Sequence, residues 1–118
     1  MQVNLVQSNY QPDFRANVSD DFVKAAKNYL LKINNQPKLD YFTKKVANFK
    51  NYGTDNMGVI HQKFYLNGKQ RHALYVTKKG MKPEEYVLLT VKDQFRKVVE
   101  KFLHINKYEF DIKTNHIK

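Results

Sequence analysis

The chain has 118 residues, no cysteine, and 21 lysines and arginines against 11 acids, for a formal charge of +10. The missing cysteine excludes disulfides, zinc–thiolate sites and thiol catalysis. The 14% of aromatic residues, eight Tyr and eight Phe, argue against wholesale disorder and suit one domain, 1–118, with a modest core. A charge this lopsided repels itself in a compact state and points to a polyanion partner, whose condensed counterions lysine and arginine release.

At the head of the chain, "VNLVQ" reads as a short strand and "SNYQPDFRAN", with Pro12, as a loop. "MQVNLVQSNY" lacks the basic start and apolar run of a secretion signal. No stretch reaches the roughly 20 apolar residues that cross a bilayer, so the expected setting is cytoplasmic, without a membrane partner. Ser19 is placed to cap a helix, with Asp20 and Asp21 favoured by its dipole. Phe22, Ala25, Ala26, Tyr29, Leu30 and Ile33 then fall on one helical face, and Pro37 ends that helix at or before Gln36.

Leu39, Phe42, Val46 and Phe49 are spaced three, four and three, which favours a second short helix stopped at Gly53; a strand is the alternative, because "YFTKKVANF" holds several β-formers. From Met57 to Val76 the residues alternate around Asn67-Gly68. A two-residue loop pairs Leu66 with Lys69 and mixes apolar and charged residues on both faces. An odd loop, with Gly68 left-handed, sorts them. It places Ile60, Gln62, Phe64, His72, Leu74 and Val76 on one face, with Phe64 and Leu74 buried together. Val59, His61, Lys63, Tyr65, Lys69, Arg71, Ala73 and Tyr75 take the other. Burial of a coherent face outweighs small turn preferences at roughly 25 cal/mol per Å², so the odd loop is expected.

Pro83, Glu84 and Glu85 suit the first turn of a helix, and Leu88, Val91, Phe95, Val98, Phe102 and Ile105 continue it; alternatively "YVLLTV" is a fourth strand that delays helix entry to about Lys92. Residues 107–118 read as a loose tail or an edge strand. The expected class is α+β: a small antiparallel sheet of three to four strands with two to three helices packed on one face.

Three basic surfaces emerge. Lys63, Tyr65, Lys69, Arg71 and Tyr75 on the hairpin combine rings that stack on bases with cations that meet phosphates, although an ordinary exposed sheet face uses the same residue types. Arg96 and Lys97, with Lys92 and Lys101, lie outside the apolar stripe of the last helix, where a merely solvated face is the plainer reading. Lys78 and Lys79 precede Gly80 without the spacing of a phosphate-binding loop. The histidines, His61, His72, His104 and His116, include no close-spaced ligand pair, so neither metal nor cofactor is expected. His72 reads as a hydrogen-bonded inward residue, and His61 as a candidate general acid or base in RNA cleavage.

The opening strand "MQVNL", a helix from Val18-Ser19, and "YLNGKQRHA" followed by an amphipathic helix resemble the hibernation-promoting factor family. The resemblance implies a β-α-β-β-β-α fold whose basic residues dock on small-subunit ribosomal RNA near the decoding region, blocking tRNA and mRNA. It also implies a strand where the spacing at 39–51 favours a helix. With that helix, and with "YVLLTV" as a strand, the order is β-α-α-β-β-β and a final helix. That order is similar to ribosome-dependent endoribonuclease toxins, with His61, Arg71 and Tyr75 as catalytic candidates beside Lys63. The expected function is therefore RNA or ribosome binding in translational control. The alternatives are such a toxin, or a protein-interaction factor of a phage or mobile element.

Overall fold

The computed structural model describes residues 16–54 and 56–117; the strand expected at 3–7 and most of the loop after it lie outside them. The described chain is an α+β fold that runs β1 (Ala16–Val18), α1 (Asp20–Lys32), α2 (Gln36–Asn48), β2 (Met57–Leu66), β3 (Lys69–Lys78), β4 (Val87–Lys92), α3 (Phe95–His104) and α4 (Lys107–Thr114). The sheet has the order β1-β2-β3-β4. β1 joins parallel to β2, and the other pairings are antiparallel.

Ser19 caps α1, its hydroxyl accepting from the Phe22 amide at 3.4 Å, and the helix buries Phe22, Ala26 and Leu30. Asn34, at φ 58°, turns the chain, and the Asn35 side chain caps α2 by accepting from the Lys38 amide at 3.1 Å. Pro37 thus opens α2 in its first turn, where its missing amide hydrogen costs nothing. The helical spacing at 39–49 holds: α2 buries Phe42, and Phe49 follows in a tight turn. Gly53 ends this segment at φ 64°, and a Cβ there would lie 2.5 Å from Met57 Sδ and 2.8 Å from Phe110 Cε1. Conformation and space both require glycine.

The hairpin departs from the expected register. Leu66 pairs with Lys69 across a two-residue loop, with Asn67 at φ 53° and Gly68 at φ 76°. Two left-handed residues make the turn whose twist matches that of the flanking strands. Val59 faces Val76 and His61 faces Leu74, so Met57, Val59, Leu74 and Val76 form the buried face. Ile60 and Phe64 fall on the opposite side, and Phe64 is only half-buried and shares no face with Leu74. The expectation of an odd loop assumed a core along the whole hairpin. β4 reaches only His72 to Val76 of β3, so the outer half had no core face to satisfy and the turn set the register.

β4 carries a bulge opposite Leu74 and Tyr75, which lets both Leu89 and Thr90 turn into the interior. Of the two readings at 83–105, the delayed helix is correct. Pro83–Glu85 is a single tight turn, and α3 starts at Phe95. The tail is neither loose nor a strand at 107–114. Asn106 caps α4 by accepting from the Glu109 amide at 2.8 Å, and Phe110 and Thr114 are buried.

One core joins the four helices to the inner face of the sheet. Phe102 is its centre, with ring centroids 5.4 Å from Phe22, 5.2 Å from Phe42 and 4.8 Å from Phe49. Among the described residues no helix is long and apolar enough to cross a membrane.

Candidate nucleic-acid interface

Side chains alternate along a strand, so the register divides the hairpin residues between two faces. Lys63 and Tyr65 follow Val59 and His61 on the helix side; Lys69, Arg71 and Tyr75 point to the other side. The single basic-aromatic face expected from the odd loop does not exist. Beyond His72, however, β3 pairs with β2 alone, so Lys63 to Arg71 form a two-stranded ribbon outside the four-stranded sheet. Residues of both faces are accessible there: Lys63 and Lys69 are exposed, Tyr65 is 69% exposed, and Arg71 is half-buried opposite Phe64.

At the root of the ribbon lies a chain of polar groups that alternation with a two-residue loop would have revealed. Tyr65 Oη donates to Gln70 Oε1 at 3.2 Å. The Gln70 amide nitrogen lies 3.0 Å from His72 Nε2, and His72 Nδ1 lies 3.0 Å from His61 Nε2. An amide nitrogen only donates, so His72 Nε2 accepts, His72 Nδ1–H donates to His61 Nε2, and His61 carries its proton on Nδ1. These three contacts are compatible with both rings neutral. Burial lowers the His61 pKa first, then the charges of His72 and Lys63; burial and then Lys63 lower that of His72. The rings stack at 5.2 Å, and Phe95 packs edge-on against both, at 5.1 Å from His61 and 5.8 Å from His72. His72 is buried, as expected. In this tautomer the His61 Nε2 lone pair is engaged by His72.

The catalytic candidates of the toxin alternative are not brought together: His61 faces the helices, and Arg71 and Tyr75 face away from them. Tyr75 is half-buried between Ile60 and Leu88, its ring 6.4 Å from that of Tyr86.

The other candidates lie apart. Lys78, at the far end of β3, donates to Thr54 Oγ1 and to the Ile117 carbonyl, both at 3.4 Å. With Lys79, Gly80, Met81, Glu85, His116 and Ile117 it lines an open recess of about 420 Å³. Arg96 is exposed on α3, whereas Lys97 is tied to Asp93 at 2.9 Å.

Ion pairs hold several of the helix cations, although Lys24, Lys27, Lys32, Lys44 and Arg96 form none among the described residues. Lys38 bonds Glu100, Lys101 bonds Glu109 at 2.9 Å, and Lys107 bonds Asp111. Lys63, Lys69 and Arg71 form no ion pair among the described residues, and the sequence from Met57 to Lys82 contains no acid. The four helices mix eleven lysines and arginines with six acids, whereas residues 57–82 carry six with none.

Compared with known proteins, the chain matches no family model, no curated protein and no solved structure.

Proposed function

We propose that the chain binds RNA through the projecting ribbon and the sheet behind it, with the ribosome as the expected source of that RNA and translation as the process it controls. The observation that carries this reading is the set of unpaired cations, Lys63, Lys69 and Arg71, interleaved with Phe64 and Tyr65 on an acid-free ribbon. Cations already held by carboxylates have little to gain from a phosphate. Unpaired ones release counterions and give a steep salt dependence. Filter binding of RNA at low and high salt, with co-sedimentation on ribosomal small subunits, is the test. The expected result is retention at low salt that falls steeply as salt rises and weakens in Lys63→Glu and Arg71→Glu. No retention by the wild-type chain at low salt overturns the reading.

One observation favours a second reading, that of a ribosome-dependent endoribonuclease. The chain has a helix at 36–48 and a strand at 87–92, the order that resemblance implies. The hibernation-factor resemblance implies a strand in place of the second helix. Against cleavage stands the engaged lone pair of His61. A general base needs a lone pair within reach of the proton it removes, so cleavage through His61 requires the histidine pair to open first. An mRNA-cleavage assay on the same sedimentation fractions separates the two: cutting that disappears in His61→Ala supports the enzyme, and intact mRNA supports binding alone.

A further inference from the structure

The face of the sheet turned away from the helices carries Ile60 and Phe64 from β2, Tyr75 from β3, and Leu88 and Val91 from β4. None of these belongs to the core that holds the helices. Leu88 and Val91 are 47% and 43% exposed, and no described helix covers them. A protein rarely leaves such a row of rings and aliphatic groups bare without a partner for it.

Charge selects the occupant. Lys69 and Arg71 stand on this same face, and the paired positions of all three strands place no acid on it. Asp93, whose carboxyl Lys97 and, to a lesser degree, Arg71 hold below the usual carboxylate range, is already ion-paired with Lys97. A second copy docked face to face would set like charges against each other. A polyanion that also offers flat apolar rings matches both features. In duplex RNA the bases are stacked on one another, and their faces are closed to side chains. In a single strand they are free to stack on aromatic rings while the backbone follows the cations.

We propose that a single strand of RNA crosses this outer face, its bases on Phe64 and Tyr75 and its phosphates toward Lys69 and Arg71. The proposal rests on the RNA-binding reading and adds to it the form of the ligand and the face it occupies.

The test is fluorescence anisotropy of labelled oligouridine against the full chain, beside an RNA duplex of the same length. Tyr75→Leu and Phe64→Leu remove a ring and keep apolar bulk; Tyr75→Phe keeps the ring. The expected result is tighter binding of the single strand than of the duplex, with affinity lost by about ten-fold in each Leu variant. Tyr75→Phe stays near wild type. The slope of affinity against salt is unchanged in all three, because no cation is removed. Thermal melts check folding; if Phe64→Leu is unfolded, the Tyr75 pair decides alone. RNA binding that is equal for duplex and single strand, or indifferent to the ring at Tyr75, overturns this inference and leaves the RNA-binding reading in place. A dimer in sedimentation equilibrium that Tyr75→Leu breaks also overturns it. No binding of either RNA at low salt overturns both.

Discussion

The helical layer and the hairpin ribbon are made of similar residues and solve opposite problems. In the layer, aromatic rings close on one another around Phe102, and lysines reach across to carboxylates on the same or the next helix. In the ribbon, Tyr65 and Leu66 are exposed, Phe64 is half-buried, and the cations form no ion pair among the described residues. The same two chemistries, ring and cation, are consumed internally in one region and left open in the other. Stability is therefore expected to reside in the layer and binding in the ribbon, and the two separate under mutation.

The largest expected contrast is between rings. Phe102→Ala empties the centre of the core and should cost about 3–5 kcal/mol in urea denaturation. Tyr65→Ala, at an exposed ribbon position, should stay within about 0.5 kcal/mol. Comparable losses would break the division.

Next come two of the glycines at positive φ, Gly68 and Gly53. Gly68→Ala, with open space around it, should cost about 1 kcal/mol for the left-handed backbone alone. Gly53→Ala meets Met57 and Phe110 as well, so overpacking should add about 1–3 kcal/mol. Thermal melts of the pair measure the difference between a turn in solvent and a turn against the core.

The histidine pair at the boundary of the two regions should respond to acid. Both rings have folded pKa values lowered by burial. The unfolded chain therefore takes up protons first as pH falls through the ordinary histidine value of about 6.5. The contribution of the pair is complete above that value and declines as pH drops below it toward the depressed folded values. Denaturation midpoints followed down through that window should fall, and His72→Gln should flatten the curve. A pH-independent midpoint in the wild type would contradict the neutral hydrogen-bonded pair.

The smallest expected effects concern single cations. Lys97→Gln removes an exposed pair with Asp93 and should change stability by less than about 1 kcal/mol. It should also leave the salt slope of RNA binding alone. Lys69→Gln should reduce that slope by about 0.7 for a single strand. Equal slopes in the two variants would mean that ion pairing does not sort the cations by function.

Much of the layer was legible in the residues. Ser19 with two aspartates, the three-four spacing of α1 and α2, and the stop at Gly53 are local signals, and each governs structure within a few residues of itself. Two elements were ambiguous for an equally physical reason. "YVLLTV" fits both a helix stripe and a buried strand, and only its pairing with β3, bulge included, decides between them. α4 has a narrow apolar face, and its helix is held by the Asn106 cap and by Phe110 reaching a core assembled from distant segments.

By itself the sequence determined the α+β class, the start of α1, the Asn67-Gly68 turn and the uneven distribution of charge, because these follow from nearest neighbours and from counting. Which residues share a face depended on how far β4 extends along β3, a fact of tertiary structure. That extent decided that the outer half of the hairpin had no core to satisfy, so the turn chemistry set the register. The register then sent Lys63 and Tyr65 to one side and Lys69, Arg71 and Tyr75 to the other, and joined His61 to His72. A shift of one residue reverses every side chain in a strand, so no local signal could have supplied that answer.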